Sequence, residues 1–314
     1  MPSATGTFYP DANVESTSVD GSVIRSVAAS TWDSLVTGVG TGHKDDGADW
    51  PLVCFFTHSG TVTDRFNNLY RAILLFDTST IPAGATISTA TLSVFFYYKL
   101  DGLGILPDLN VYSSNPASNN DLINADYNTL GSTPFCDTSL AYNDIQFNNL
   151  TDFELNAAGR AAITPAGVTK LGIRNANYDV ANTPPAWSYE VTTLIYALQA
   201  DYGGALRPKL TVNYRYLDSS TNGFIWVEET KLHYGADSGE REFEGSTTGG
   251  TGTAGHLWVE GTYIHYIDSS GNERRQEGTD TTVNATAGHI FVESTKLHYI
   301  DANGDERYIE GTTV

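Results

Sequence analysis

The chain ends in three copies of one motif, and nothing else in it restricts the fold so tightly. The copies read GFIWVEETKLHYGADSGEREFEG from Gly223, GHLWVEGTYIHYIDSSGNERRQEG from Gly255 and GHIFVESTKLHYIDANGDERYIEG from Gly288, with starts 32 and 33 residues apart. A period near that length means an array of one supersecondary unit, whose faces are buried only against neighbours. Within a copy the apolar residues alternate, which is the period of a strand. The two-residue links Glu229-Thr230, Gly261-Thr262 and Ser294-Thr295 suit tight hairpins, and Gly-Thr fits a type II′ turn. The predicted register sets Glu228 opposite Lys231, Val227 opposite Leu232, Trp226 opposite His233 and Ile225 opposite Tyr234. A second turn, D-x-x-G-x-E-R at Asp268–Arg274 and Asp301–Arg307, leads to a third strand ending in Glu-Gly. The reading is three tandem β-meanders at 223–245, 255–278 and 288–311, inside a region spanning 217–314.

Alternation assigns Ile225, Val227, Leu232 and Tyr234 to one face, which is core, and Trp226, Glu228, Lys231 and His233 to the other. On that other face an aromatic and a histidine recur together: Trp226 with His233, Trp258 with His265, Phe291 with His298. Scattered exposed rings need no explanation, but a repeated pair marks a covered surface. Packing on the next unit or on another chain is one use of it. Stacking on sugar rings is a second. A histidine metal ladder is the weakest, because no copy supplies closely spaced ligands such as H-x-x-x-H. A three-stranded unit is marginal alone, so stacked units and association into a trimer are expected. The linkers GSTTGGTGTAG and GTDTTVNATAG are flexible in composition, which also permits beads on a string.

Charge narrows the partners. The 314 residues carry 37 acidic and 17 basic side chains, a formal net charge of −20, and residues 217–314 alone hold 17 acidic against 6 basic. A nucleic-acid binder would present a basic face to phosphates, so nucleic acid is not expected as a partner. With 40% hydrophobic residues the chain is also no disordered tail. The longest apolar runs, Leu52–Phe56 and Ala72–Phe76, are far short of the ~20 residues of a membrane-spanning helix. The amino terminus, MPSATGTFYPDANVEST, lacks a charged n-region and an apolar h-region. A full-length chain would therefore be released into the cytoplasm and leave by another route, such as lysis inside a virus particle. Removal of a leader would explain the same text. Two cysteines, Cys54 and Cys136, form no disulfide framework, and two buried thiols are the simpler reading than one bridge.

The whole chain, with 30 Gly, 18 Tyr and 13 Phe against a single Met, is poor in helix formers, and residues 1–216 read as short strands between turns. Candidates are Leu69–Phe76, Thr91–Tyr98, Leu109–Ser113, Lys170–Arg174, Tyr189–Thr193 and Lys209–Tyr214, with one short helix over Leu155–Ile163. Many short strands and one small helix point to a two-sheet sandwich. The stretch RAILLFDTSTIPAGATISTATLSVFF, the later KLGIRN and the closing RPKLTVNY resemble the DNRLRE-type jelly-roll domain, a relative of carbohydrate-binding modules. The residues in register are Arg71, Phe76, Asp77, Ile81, Pro82, Gly84, Ala85, Ile87, Ala90, Leu92 and Val94, then Arg207, Pro208, Leu210, Val212 and Tyr214. The resemblance implies a jelly-roll β-sandwich over 1–216, of a kind found in phage virion proteins, bacterial surface proteins and polysaccharide-active enzymes. Fold alone does not assign a task. The motif residues have structural readings. Pro82 presets φ and Gly84 accepts a positive φ in a fixed turn. Arg71 inside an apolar run needs a partner, with Asp77 the nearest in sequence, although a ligand contact is the alternative.

No phosphate-binding glycine loop, nucleophile elbow or H-E-x-x-H helix occurs, and TGGTGTAG around Gly250 follows no apolar strand, so it reads as linker. Paired carboxylates are plentiful but not positioned by sequence. HKDDGADW, with Asp45, Asp46 and Asp49, offers oxygen ligands to calcium, or is an ordinary solvated loop. Otherwise no cofactor is expected. The expectation is an all-β chain, a jelly-roll β-sandwich followed by three tandem β-meander repeats, acting without catalysis. Its expected place is the surface of a phage virion, as a capsid decoration or a tail or head fibre, with other virion proteins, copies of itself as a homo-oligomer, or cell-surface glycan as partners. The rival is a secreted or cell-surface glycan-binding module of a bacterium.

Overall fold

The chain folds as antiparallel β-sheet with few helical turns. The computed structural model describes residues 3–46, 51–202 and 204–216, and beyond them nine strand segments between 225 and 310. Contacts divide the chain into one unit of Ser3–Arg215 and another of Tyr216–Val314 with Met1–Pro2.

The first unit holds β1 (Ser3–Phe8), β2 (Asp20–Ser30), β3 (Gly42–Lys44), β4 (Leu52–Ser59), β5 (Phe66–Asp77), β6 (Thr86–Asp101), β7 (Leu109–Ser113), β8 (Asn149–Glu154), β9 (Val168–Asn175), β10 (Thr192–Ala197) and β11 (Lys209–Arg215). Their order is β1-β11-β6-β10-β4-β5-β2-β3, with β8 also on β6, β9 also on β5, and β7 on β9. Two long strands change partner along their length. One edge of β5 pairs with β4 through Phe66–Tyr70 and then with β9 from Ala72 to Asp77. One edge of β6 pairs with β11 over Thr86–Ser93 and then with β10 over Phe96–Asp101. These exchanges bend a continuous ladder into the layers of a sandwich. The core between them is fully buried and includes Val23, Phe55, Leu69, Ile73, Leu75, Leu92, Val94, Ile173, Ile195 and Leu210.

Two short helices complete this unit. In α1 (Trp32–Thr37) the Thr31 hydroxyl accepts from Ser34 N, while Trp32 and Leu35 face the core. In α2 (Ala157–Ala161) the Asn156 side chain accepts from Gly159 N, so the helix is shorter than the alanine-rich run 155–163. The strand expected at Tyr189–Thr193 lies later, at Thr192–Ala197: Glu190 has φ +51°, a left-handed conformation that interrupts a strand. Cys54 and Cys136 are both free thiols and both buried.

In the second unit, three separate sheets have three strands each. They are β12 (Ile225–Glu228), β13 (Lys231–Ala236) and β14 (Gly239–Phe243); β15 (Leu257–Glu260), β16 (Tyr263–Ile267) and β17 (Glu273–Glu277); and β18 (Ile290–Glu293), β19 (Lys296–Ile300) and β20 (Glu306–Glu310). The register sets Trp226 opposite His233 and then Glu242, Trp258 opposite His265 and then Arg275, and Phe291 opposite His298 and then Tyr308. The side chains at these positions, and with them the aromatic and histidine stripe, lie outside the described residues.

Candidate functional site

Arg71, Arg174 and Asp179 form a buried charged cluster in the sandwich. Arg71 stands on the core face of β5, opposite Val23, and Arg174 lies on β9 one step beyond the Ala72–Ile173 pair. Two guanidinium groups so placed repel unless something bridges them. Asp179 does so. A single helical turn over Ala176–Val180, capped by Asn175 whose side-chain Oδ1 accepts from Tyr178 N and Asp179 N, folds the carboxylate back over the strand. Its Oδ2 accepts from Arg71 Nε at 2.9 Å and Arg174 Nε at 2.9 Å, and its Oδ1 from their Nη2 groups at 2.6 and 2.8 Å. Burial alone would raise the Asp179 carboxyl, but the two arginines outweigh it and hold it below the ordinary range.

Three further N–H groups donate to backbone carbonyls. Arg71 donates to Tyr127 O and Val36 O, and Arg174 to Gly131 O. The Arg71 guanidinium lies 4.0 Å from the centroid of the Tyr127 ring, whose hydroxyl donates to Leu35 O. Arg71 and Tyr127 thus satisfy carbonyls at the end of α1, where cations are favourable. Asp77 is not the partner of Arg71. It closes a local turn instead, its Oδ1 accepting from Ser79 N at 3.0 Å. Gly84 has φ +81° in a turn closed from Ala85 N to Pro82 O, which puts Pro82 at the turn's first position and not its second. The cluster is buried, and each member is held by bonds within the chain.

The outer face of the sheet is different. Tyr98 on β6 stands opposite Tyr196 on β10, and the row Leu100–Leu194–Phe56–Tyr70 crosses β6, β10, β4 and β5 on the same side. A bulge in β6 inserts Tyr97 between the pairs Tyr196–Tyr98 and Ala197–Phe96. Both tyrosines therefore flank one ring: Tyr97 and Tyr98 lie 6.4 and 6.0 Å from the Tyr196 centroid. Phe56 and Tyr70 meet edge to face at 4.9 Å. Tyr98, Leu100 and Tyr202 are 44%, 42% and 46% exposed, while Phe56, Tyr70, Tyr97 and Tyr196 are half-buried. Burial, with Tyr202 and Tyr196 adding to it, pushes the Tyr97 phenol up to about 12. Burial also raises Tyr196, helped by Tyr70 and Tyr98. These phenols stay neutral and keep both hydroxyl donor and ring face available. At the border, His58 Nδ1 pairs with Thr192 Oγ1 at 3.0 Å and Asn68 Nδ2 donates to Ser26 Oγ at 2.8 Å.

This tyrosine face escaped the sequence reading. The signal was the run FFYY at the end of one strand, which names rings without saying that a bulge turns two neighbours the same way. Of the acidic trio, Asp45 Oδ2 accepts from Leu122 N at 2.6 Å, Asp46 lines the same open crevice of about 280 Å³, and Asp49 lies outside the described residues. Among the described residues no three His, Cys, Asp or Glu side chains are arranged to hold a metal ion, and no helix is long and apolar enough to cross a membrane. Comparison with protein-family models gave no match, and neither did comparison with curated proteins.

Proposed function

We propose that this protein is a non-enzymatic structural and attachment protein of a phage virion, a DNRLRE-type jelly roll followed by three tandem β-meander repeats. One part docks to the particle or to copies of the chain, and exposed rings adhere to a host or neighbouring surface. The observation that carries the adhesive role is the tyrosine face around Tyr98, Tyr196 and Tyr70. Clustered tyrosines offer large contact area at low conformational cost together with a hydroxyl for hydrogen bonding. The virion placement draws on the motif resemblance, on the threefold repeat and on an acidic surface that resists nonspecific association with DNA and anionic lipid.

Adhesion of fluorescently labelled full chain to bacterial cells, compared with Tyr98→Ala and Tyr202→Ala, tests the reading. Both side chains are half-exposed, so folding survives their truncation. At least a tenfold loss of cell-bound signal is expected, and undiminished binding overturns the role of this face. Light scattering tests assembly, with a concentration-independent trimer expected. A second reading, a bacterial glycan-binding module, draws on the same rings, since aromatic faces stack on sugars. Immunogold labelling of purified particles separates the two: label on the particle supports the first, and label confined to the bacterial surface supports the second.

A further inference from the structure

Strands β6 and β10 bring two tyrosines 98 positions apart in the chain directly opposite each other. Side chains so opposed leave the sheet with their Cβ atoms ~4.5–5.5 Å apart. The Tyr98 and Tyr196 ring centroids are 6.0 Å apart and their planes are tilted by 46°, inside the ~4.5–7 Å range of aromatic rings in contact. Tyr98 is 44% exposed, and Tyr196 is half-buried. Tyr97 also flanks Tyr196, at 6.4 Å, but the bulge sets it off the opposed pair. The only two cysteines are free and buried, so no disulfide ties these strands together.

We propose that Tyr98 and Tyr196 form an oxidative coupling site, at which a haem peroxidase and hydrogen peroxide join the two rings into a dityrosine. The inference goes beyond the attachment role and does not depend on it. The exposed Tyr98 ring meets the oxidant and gives up one electron and its hydroxyl proton. The phenoxyl radical so formed takes an electron and a proton from the Tyr196 phenol it touches, so Tyr196 needs no access of its own. A second oxidation of Tyr98 leaves two radicals side by side. Their unpaired density lies on oxygen and on the ring carbons ortho and para to it, and a bond forms between one ortho carbon of each ring. The hydrogens on those two carbons leave as protons and both oxygens regain theirs, which restores two phenols. One hydrogen peroxide is reduced to two waters, and the chain loses two hydrogen atoms. Exposed side chains reorient within picoseconds to nanoseconds, so Tyr98 readily turns an ortho carbon to its neighbour. A cross-link closing so long a stretch restricts the unfolded chain, and the bond therefore staples β6 to β10.

Treatment of the dilute full chain with horseradish peroxidase and hydrogen peroxide, followed by digestion and mass spectrometry of the monomer, tests the proposal. Blue dityrosine fluorescence is expected, with a peptide pair joined at Tyr98 and Tyr196 and lighter by two hydrogen atoms than its parts. The cross-linked chain unfolds at higher denaturant concentration than the untreated one. Phenylalanine keeps the ring and forms no phenoxyl radical, so Tyr98→Phe and Tyr196→Phe each lower the yield of this cross-link at least tenfold without disturbing the fold. Tyr97→Phe leaves the yield within twofold. A monomer cross-link that persists in Tyr98→Phe or disappears in Tyr97→Phe overturns the assignment, as does dityrosine found only between separate chains. An unchanged unfolding midpoint in the cross-linked chain overturns the stapling role.

Discussion

Replacing Asp179 by alanine strips the only carboxylate from between two buried guanidinium groups. Arg71, Arg174 and Asp179 are 3%, 6% and 1% exposed, so water cannot take the place of the lost partner. The wild-type carboxylate accepts four charge-assisted bonds, and alanine accepts none. Breaking a buried ion pair by deleting one partner costs about 3–5 kcal/mol. Here the charge left behind is doubled, which places Asp179→Ala at the upper end. For a domain of this size that corresponds to a fall in Tm of roughly 6–20 °C. Guanidinium chloride unfolding followed by near-ultraviolet circular dichroism reads the change, with Trp32 well placed because its Nε1 donates to Tyr178 O beside the cluster.

Asp179→Asn separates charge from shape. Its single carbonyl oxygen serves one pair of N–H groups, and its own NH2 points at donors, so it loses nearly as much as alanine. The pH dependence has a definite sign. Because the folded carboxyl sits below its ordinary range, the Asp179 contribution is fully present above about pH 4 and disappears as the pH falls through the folded pKa. A loss under about 1 kcal/mol for Asp179→Ala, or recovery of wild-type stability by Asp179→Asn, would refute the bridging role.

Asp20 titrates in the opposite sense: burial, with help from Asp201 and Glu15, raises its carboxyl well above the ordinary range although Ala200 N donates to it. Its ionisation therefore costs stability as pH rises, so Asp20→Asn should raise the unfolding midpoint at pH 7 and lose that advantage below about pH 4; an unchanged midpoint at pH 7 counts against this. Gly84→Ala should cost about 1–2 kcal/mol from backbone conformation alone, since φ is +81° and a Cβ there meets open space. Gly40→Ala should cost at least ~1–3 kcal/mol, because its Cβ would fall 2.0 Å from Asn124 O and 2.6 Å from Tyr127 Cβ; a loss under about 0.5 kcal/mol at either glycine in urea melts would contradict its reasoning. Burial pushes the Cys136 thiol up to about 11 and the Cys54 thiol higher still. A colorimetric thiol reagent at pH 8 should find neither until denaturant is added, and rapid reaction of the native chain would show the burial to be wrong.

What sequence could disclose tracks how local the cause is. Strands with a continuous or alternating apolar pattern, Leu69–Phe76, Leu109–Ser113 and Lys209–Tyr214, lie within or coincide with β5, β7 and β11, because side-chain period 2 is written residue by residue. The glycine at 84 was legible for the same reason. Tyr189–Thr193 misled because Glu190 takes a left-handed φ that its residue type does not advertise. Long-range pairing was not legible at all. Arg71 meets a carboxylate 108 residues away, although Asp77 stands six positions on, because β5 carries Arg71 beside β9 and the turn after β9 returns Asp179 to it. The tyrosine face has the same origin. Tyr98, Tyr196 and Tyr70 come from three strands, and one inserted residue decides that Tyr97 joins them. The ring cluster on this sheet is thus made by register and a bulge. Moving Tyr97 by one residue would return its ring to the opposite side and dissolve the cluster without altering the composition of the chain.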